Sequence, residues 1–249
     1  MFSSTGYNST TFSMNLSSFD TSNVTDMYNM FNRAGYSSLD FTLDISSFNT
    51  KNVKDMRSMF NRTGYTSSNF TLNLGNNFNT AKVTDMNNMF NGTGYNSTVF
   101  NLDVSGFDTS NVTSMSYMFF SAGYNSEIFT LDVSGFDTSN VTNMSYMFYY
   151  TGHINPSFTL DVSGFDTSKV TNISRMFTNT GANSSILNTS FTIKNKNITS
   201  YTGAFYGIAT KSGSQVIVHY TNETSDLVDQ IIATKAANSN VIKGNNISS

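Results

Sequence analysis

Acidic and hydroxyl side chains recur along this chain at a fixed interval, and any chemistry must come from them. One column reads Asn15, Asp44, Asn73, Asp103, Asp132, Asp161 and Lys194. Two positions earlier runs a second: Ser13, Thr42, Thr71, Asn101, Thr130, Thr159 and Thr192. Carboxylates stacked at strand spacing repel one another, so each needs a hydrogen-bond donor, a cation or open solvent. Carboxylate oxygens suit Ca²⁺, but a regular face offers one carboxylate per coil and few converging oxygens, so no specific metal is expected. A third column is aromatic: Tyr7, Tyr36, Tyr65, Tyr95 and Tyr124, then His153 and Ala182. Tyrosines either lean back on the molecule or form a ridge with large, partly polar contact area. Catalysis has little to work with. There is no Cys, and of the two histidines one occupies a tyrosine position (His153) and one a terminal strand (His219). Catalytic carboxylates need differing environments to separate their pKa values, and repetition gives them the same one. Neither catalytic residues nor a cofactor are expected.

The columns exist because the chain repeats. The Phe that opens each Phe-Asp/Asn-Thr step falls at Phe19, Phe48, Phe78, Phe107, Phe136 and Phe165, spaced 29, 30, 29, 29 and 29. The Gly of a second marker falls at Gly6, Gly35, Gly64, Gly94, Gly123, Gly152 and Gly181, spaced 29, 29, 30, 29, 29 and 29. Two independent columns in step mean stacked coils, each too small to bury its own core.

Each repeat has three segments. Phe129 to Val133 alternates apolar and polar residues, which predicts a short strand. The equivalents are Phe12 to Leu16, Phe41 to Ile45, Phe70 to Leu74, Phe100 to Val104, Phe158 to Val162 and Phe191 to Ile193. Like strands are expected to stack in parallel at about 4.8 Å. A polar turn pinned by Phe136 follows. Its Asn140 column (Asn23, Asn52, Asn111 and Asn140, broken by Lys82 and Lys169) is expected to bond neighbouring backbone. Val141-x-x-Met144-x-x-Met147-Phe148 then places apolar residues at i, i+3, i+6 and i+7, which predicts a tight helical turn ended by Gly152. The Met columns read as core filling rather than as a metal or redox stripe.

Beyond Phe177 the pattern loosens. Gln215 to Tyr220 reads as a strand, Ser225 to Ala236 as an amphipathic helix with Ser225 as cap, and Val241-Ile242 as a closing strand. Residues 1–211 thus read as repeat array and 212–249 as a capping unit, with Asn245 to Ser249 starting a linker. A solenoid end exposes apolar cross-section, and an atypical terminal unit covers it. Met1-Phe2 matches the Met-Phe of a repeat, which suggests a chain cut from a longer protein. No apolar run reaches membrane-spanning length.

Net charge is −3, which argues against a nucleic-acid surface. Charge is nonetheless uneven: Val83 to Ser168 holds no Lys or Arg but eight acids, while Arg33, Lys51, Lys54, Arg57, Arg62 and Lys82 crowd the first third. The acidic middle is either drift between repeats or a surface that attracts cations or a basic partner.

Leu-Asp-Val-Ser-Gly-Phe-Asp-Thr-Ser-Asn-Val-Thr-Asn-Met-Ser-Tyr-Met-Phe, residues 131–148, resembles the repeat of BspA-like leucine-rich-repeat surface proteins, in the variant LDLSxFDTSNVTDMSxMF. The resemblance covers about residues 1–209. The chain departs from that pattern in its longer period, with extra residues around Gly-Tyr-Asn-Ser, and in lacking the Cys often found after the Met-Phe. The resemblance implies an α/β fold: a right-handed leucine-rich-repeat-like solenoid of about seven coils, with one parallel β-sheet, short helical turns and a strand-helix-strand cap. It also implies a bacterial cell-surface or secreted location and non-enzymatic adhesion to a host extracellular-matrix protein, a glycan or another microbial surface. A monomer is expected. The candidate contact residues are Thr42, Asp44, Thr71, Asn73, Asn101, Asp103, Thr130, Asp132, Thr159 and Asp161 on the sheet, with Tyr36, Tyr65, Tyr95 and Tyr124 in the loops. A structural stalk is the main alternative. An ice-binding Thr face is a lesser one, because the Asp column interrupts a flat, weakly polar surface, and a Ca²⁺-binding solenoid is another.

Overall fold

The computed structural model describes residues 1–248. It is a parallel β-solenoid of about eight turns with a single short helix near the C-terminal end. This is slightly more than the seven coils expected, because the terminal unit stacks as a further turn. The first strands are β1 (Thr11–Ser13), β2 (Asp40–Asp44), β3 (Asn69–Asn73), β4 (Val99–Leu102), β5 (Ile128–Leu131) and β6 (Asn188–Ile193). Register follows the repeat: Phe12 lies opposite Phe41, Phe41 opposite Phe70, and Phe100 opposite Phe129.

The expected single sheet is instead three parallel sheets: β1-β2-β3, β4-β5, and one that begins at β6. Side chains take up backbone bonds at both breaks. Between β3 and β4 the Phe70 N–H donates to the Ser97 hydroxyl at 3.2 Å. After β5, the Phe158 to Val162 segment forms no regular strand. Its approach carries Pro156, which stands where Glu127 donates its N–H to Thr98 O, and a proline has no N–H to give. Asn155 covers the gap by donating its side-chain amide to Phe129 O at 3.3 Å.

The expected helical turns are also corrected. Ser58, Phe60 and Arg62 donate N–H bonds to the next coil, at Asn87 O, Met89 O and Asn91 O (3.0, 2.9 and 2.7 Å). The intervening Met59, Asn61 and Thr63 bond three residues back, to Met56 O, Ser58 O and Phe60 O. Alternate residues thus bond along the stack and within the turn, which satisfies the backbone without a helix. The geometry needs left-handed backbone at Ser58 (φ 54), Arg62 (φ 56) and Gly64 (φ 58). A column of isolated parallel bridges, Asp26-Asp55-Asp85-Ser114-Asn143-Asn172-Ser200, runs unbroken past both sheet breaks.

The core is a set of aromatic stacks along the axis. Phe31, Phe60, Phe90, Phe119, Phe148 and Phe177 stack with centroids 5.3 to 5.8 Å apart. Met59, Met89, Met118 and Met147 are fully buried beside them. The first coil departs from this pattern: Phe19 is exposed, whereas Phe48 and its later equivalents are buried.

β7 (Gln215–Tyr220), α1 (Ser225–Ala233) and β8 (Val241–Asn246) give the expected strand-helix-strand order, with β6-β7-β8 forming one sheet. Val228 and Ile231 bury the inner face of α1. The cap residue is Thr224 rather than Ser225, and its hydroxyl donates to Ile193 O at 2.7 Å. The helix stops at Ala233 instead of Ala236. There the Thr234 hydroxyl turns back to Ile231 O and accepts from Gly203 N. Asn245 and Asn246 belong to β8 rather than to a linker, and Ser249 lies outside the described residues. No helix among the described residues is long and apolar enough to cross a membrane.

Candidate binding surfaces

The sheet rows lie where alternation puts them. Thr42, Asp44, Thr71, Asn73, Asn101, Asp103, Thr130, Asp132, Thr159 and Asp161 are all exposed. Neighbouring coils link along the rows: Asn73 Nδ2 donates to Asp44 Oδ1 at 3.2 Å, and the Thr130 hydroxyl to Asn101 Oδ1 at 2.8 Å. Each carboxylate also closes a local turn. The backbone N–H groups of Ser46, Ser105, Ser134 and Ser163 donate to Asp44, Asp103, Asp132 and Asp161 at 2.9 to 3.0 Å. The Ser105 and Ser134 hydroxyls add 2.7 Å bonds. These donors answer the like-charge problem of a stacked Asp row. The Ser105 hydroxyl and backbone hold Asp103 below the usual carboxylate value, and the same pair from Ser134 lowers Asp132. Asp44 is lowered first by the Ser46 backbone N–H.

The second sheet break shapes one stretch of this face. A groove of about 850 Å³ opens beside Pro156, and six of the expected contact residues line it: Asn101, Asp103, Thr130, Asp132, Thr159 and Asp161. Its floor includes Phe129, Leu131 and Leu160. Thr42, Asp44, Thr71 and Asn73 lie outside it.

The tyrosine column is a continuous stack. Tyr7, Tyr36, Tyr65, Tyr95 and Tyr124 have centroids 4.8, 5.0, 4.5 and 4.6 Å apart, and His153 continues at 4.9 Å. Tyr36, Tyr65, Tyr95 and Tyr124 are half-buried, so the rings lean on one another and present edges. Burial, then the neighbouring tyrosines, pushes Tyr95 up to about 12. The asparagine column bonds backbone as expected: Asn52, Asn111 and Asn140 donate to Ser22 O, Ala81 O and Ser110 O, each at 2.8 Å.

Sequence reasoning missed a third surface, the turn edge. The left-handed residue two before each repeat glycine reads Ser4, Arg33, Arg62, Gly92, Ser121, Tyr150 and Asn179. The residue before it reads Ser3, Asn32, Asn61, Asn91, Phe120, Tyr149 and Thr178. A further left-handed column reads Asn29, Ser58, Asn88, Tyr117, Tyr146 and Arg175. In the coils of Tyr117 to Tyr150 these columns become an aromatic patch. Tyr117 stacks on Tyr146 and Phe120 on Tyr149, each at 4.6 Å. The available signal was the change of residue type within a column counted back from the glycines.

No curated protein and no solved structure matches the chain. A family profile does: that described as Mycoplasma protein of unknown function, DUF285, over residues 1–94, 64–191 and 96–216. These overlapping segments run through both sheet breaks and the turn edge to the start of the terminal unit, and the chain belongs to the DUF285 family.

Proposed function

We propose that this solenoid is a non-enzymatic binding module on a bacterial cell surface, or secreted, that recognises a host matrix protein, a glycan or another microbial surface. The carrying observation is the groove of about 850 Å³ whose walls hold three consecutive pairs from the Thr/Asp rows. It offers hydroxyls, carboxylates and an apolar floor at one coil's spacing, which suits an extended ligand of repeating polar units. Contacts made coil by coil are individually weak and add, as in multivalent attachment. The resemblance of residues 131–148 to BspA-like leucine-rich repeats supports the same reading, and the Mycoplasma label of the matched family is consistent with a bacterial source. The Tyr36, Tyr65, Tyr95 and Tyr124 stack ranks second as a contact row, because its rings are engaged with each other.

A second reading, a stalk that holds another domain away from the cell, draws on the bridge column that runs unbroken from Asp26 to Ser200. The test is a glycan and matrix-protein array probed with the multimerised chain. Binding that falls stepwise as coils are removed from the N-terminal side, with the cap kept, is the expected result. No binding to any glycan, matrix protein or cell surface rejects the module in favour of the stalk.

A further inference from the structure

We propose that the turn-edge groove around Arg33 and Arg62 binds the oxyanion groups, sulfate or carboxylate, of an acidic saccharide. Arg33 and Arg62 occupy one column in consecutive coils and line a groove of about 340 Å³ with Ser3, Ser4, Asn32 and Asn61. Like charges one coil apart repel, and among the described residues neither guanidinium forms an ion pair. Arg57 shows the contrast: it is held by Asp55 at 2.6 Å. An oxyanion between Arg33 and Arg62 supplies the missing charge, and the planar guanidinium fork matches carboxylate and sulfate geometry.

Two further features prepare the groove. The next residue in the arginine column is Gly92, where an added Cβ would meet Arg62 Cγ at 3.3 Å and the Tyr65 ring at 3.0 Å. The glycine leaves room for the Arg62 stem, whose guanidinium lies 5.8 Å from the Tyr65 ring centre. Asn61 is also untied. The Asn32 and Asn91 amides donate to Asn29 and Asn88 at 2.8 and 2.7 Å. Ser58 replaces that partner in the middle coil, and Asn61 Oδ1 is buried without a hydrogen bond. This amide can turn toward a ligand at no loss of an existing bond.

The rest of the edge selects the carrier. Beyond Asn91 the same columns present the apolar ring of Phe120 and the hydroxyl-tipped rings of Tyr149 and Tyr150, which suit sugar rings bearing hydroxyls. The eight acids between Val83 and Ser168 oppose a uniformly charged strand such as a nucleic acid. They do not oppose a saccharide whose charges sit at one end. The inference rests on the surface-binding reading only for where such a saccharide is met.

The test is calorimetric titration of the full chain with a hexasaccharide sulfated only on its terminal residue, a hexasaccharide of equal length whose terminal residue alone is a uronate, and a single-stranded oligonucleotide of equal length. Saturable binding of at least one acidic saccharide is expected, and the tighter of the two names the oxyanion. The double variant Arg33→Asn/Arg62→Asn should weaken it by about tenfold or more. Asn is tolerated in this column, as Asn179 shows at φ 55. Lys51→Ser/Lys54→Ser removes the same charge elsewhere and should leave binding within about twofold. Failure to saturate with either saccharide, equal losses in the two double variants, or tighter binding of the oligonucleotide would each overturn the proposal. These variants leave the Thr/Asp groove untouched. Array binding that survives while the titration fails therefore rejects this site alone.

Discussion

The turn edge presents Asn61-Arg62 in one coil and Tyr149-Tyr150 three coils later, on the same backbone. Arg62 and Tyr150 have φ of 56 and 57 and donate to the following coil at 2.7 and 2.8 Å. The buried hydroxyls of Thr63 and Thr151 donate to Phe31 O and Phe119 O, both at 2.7 Å. The scaffold is therefore indifferent to what the edge displays. The repeat specifies the stack through its buried columns and its axial hydrogen bonds. The edge residues are free to be a cationic groove in one place and an aromatic patch in another.

The strongest way to break that comparison is to attack the shared core beneath each region. Met59 and Met147 are fully buried, and an unpaired carboxylate there is too costly to fold around. Met59→Asp and Met147→Asp should both abolish cooperative melting and give aggregates on sedimentation. A variant that melts cooperatively under one region only would show that the two cores are not equivalent. A milder probe removes the buried hydroxyls. Thr63→Val and Thr151→Val should each cost about 1–3 kcal/mol in denaturant unfolding, and the two losses should agree.

Acid should weaken both regions, because Asp44 and Asp55 in the first are lowered as are the carboxylates of the second. Asp103, Asp108, Asp132 and Asp166 all titrate below their usual 3.8. For Asp103, Asp108 and Asp132 the leading cause is a serine hydroxyl, and for Asp166 the Ser168 bonds and Lys194 outweigh burial. A carboxylate lowered on folding stabilises fully above its unfolded pKa and stops doing so as pH falls through the folded value. Stability should therefore hold at neutral pH and fall below about 3.8. Asn73 and Asn79 occupy the matching positions in a nearby coil. Asp103→Asn/Asp132→Asn should thus lose that contribution at pH 7 and flatten the acid loss, the two proteins converging as pH falls. An unchanged acid limb would remove these carboxylates from the account.

The smallest effect sharpens the comparison most. Tyr146 stands at φ 58 in a column that elsewhere holds Asn29 and Asn88. Tyr146→Asn relieves a strained left-handed tyrosine and loses its stack on Tyr117. Each contribution is on the order of 1 kcal/mol, and they oppose. Stability should shift by less than about 0.5 kcal/mol. A larger loss would mean that the aromatic patch helps hold the stack together.

The period was legible because glycine and phenylalanine recur independently in the sequence, and with it the parallel strands, the buried Met columns and the exposed Thr/Asp rows. The sheet breaks were not: serine stands in the Ser97 column at the unbroken joints as well, as Ser67 and Ser126, and the missing N–H of Pro156 matters only where a neighbouring strand would receive it. The helical turn was misread because apolar spacing at i, i+3, i+6 and i+7 also fits successive three-back turns whose left-handed residues include Ser and Arg as well as Gly. The groove beside Pro156 was hidden for a related reason: it depends on a strand failing to pair. The turn edge went unread because its positions hold no constant residue type.

The hydrogen bonds between coils, such as Phe60 N to Met89 O at 2.9 Å, all run along the stacking axis. A force pulling the first and last coils apart therefore loads each bond along its own length. Coils detach in succession from the end under strain, rather than sharing the load side by side. Each coil that lets go releases about 29 residues, or about 100 Å of slack. Pulled from its two ends, the stack is therefore expected to lengthen in equal steps rather than give way all at once.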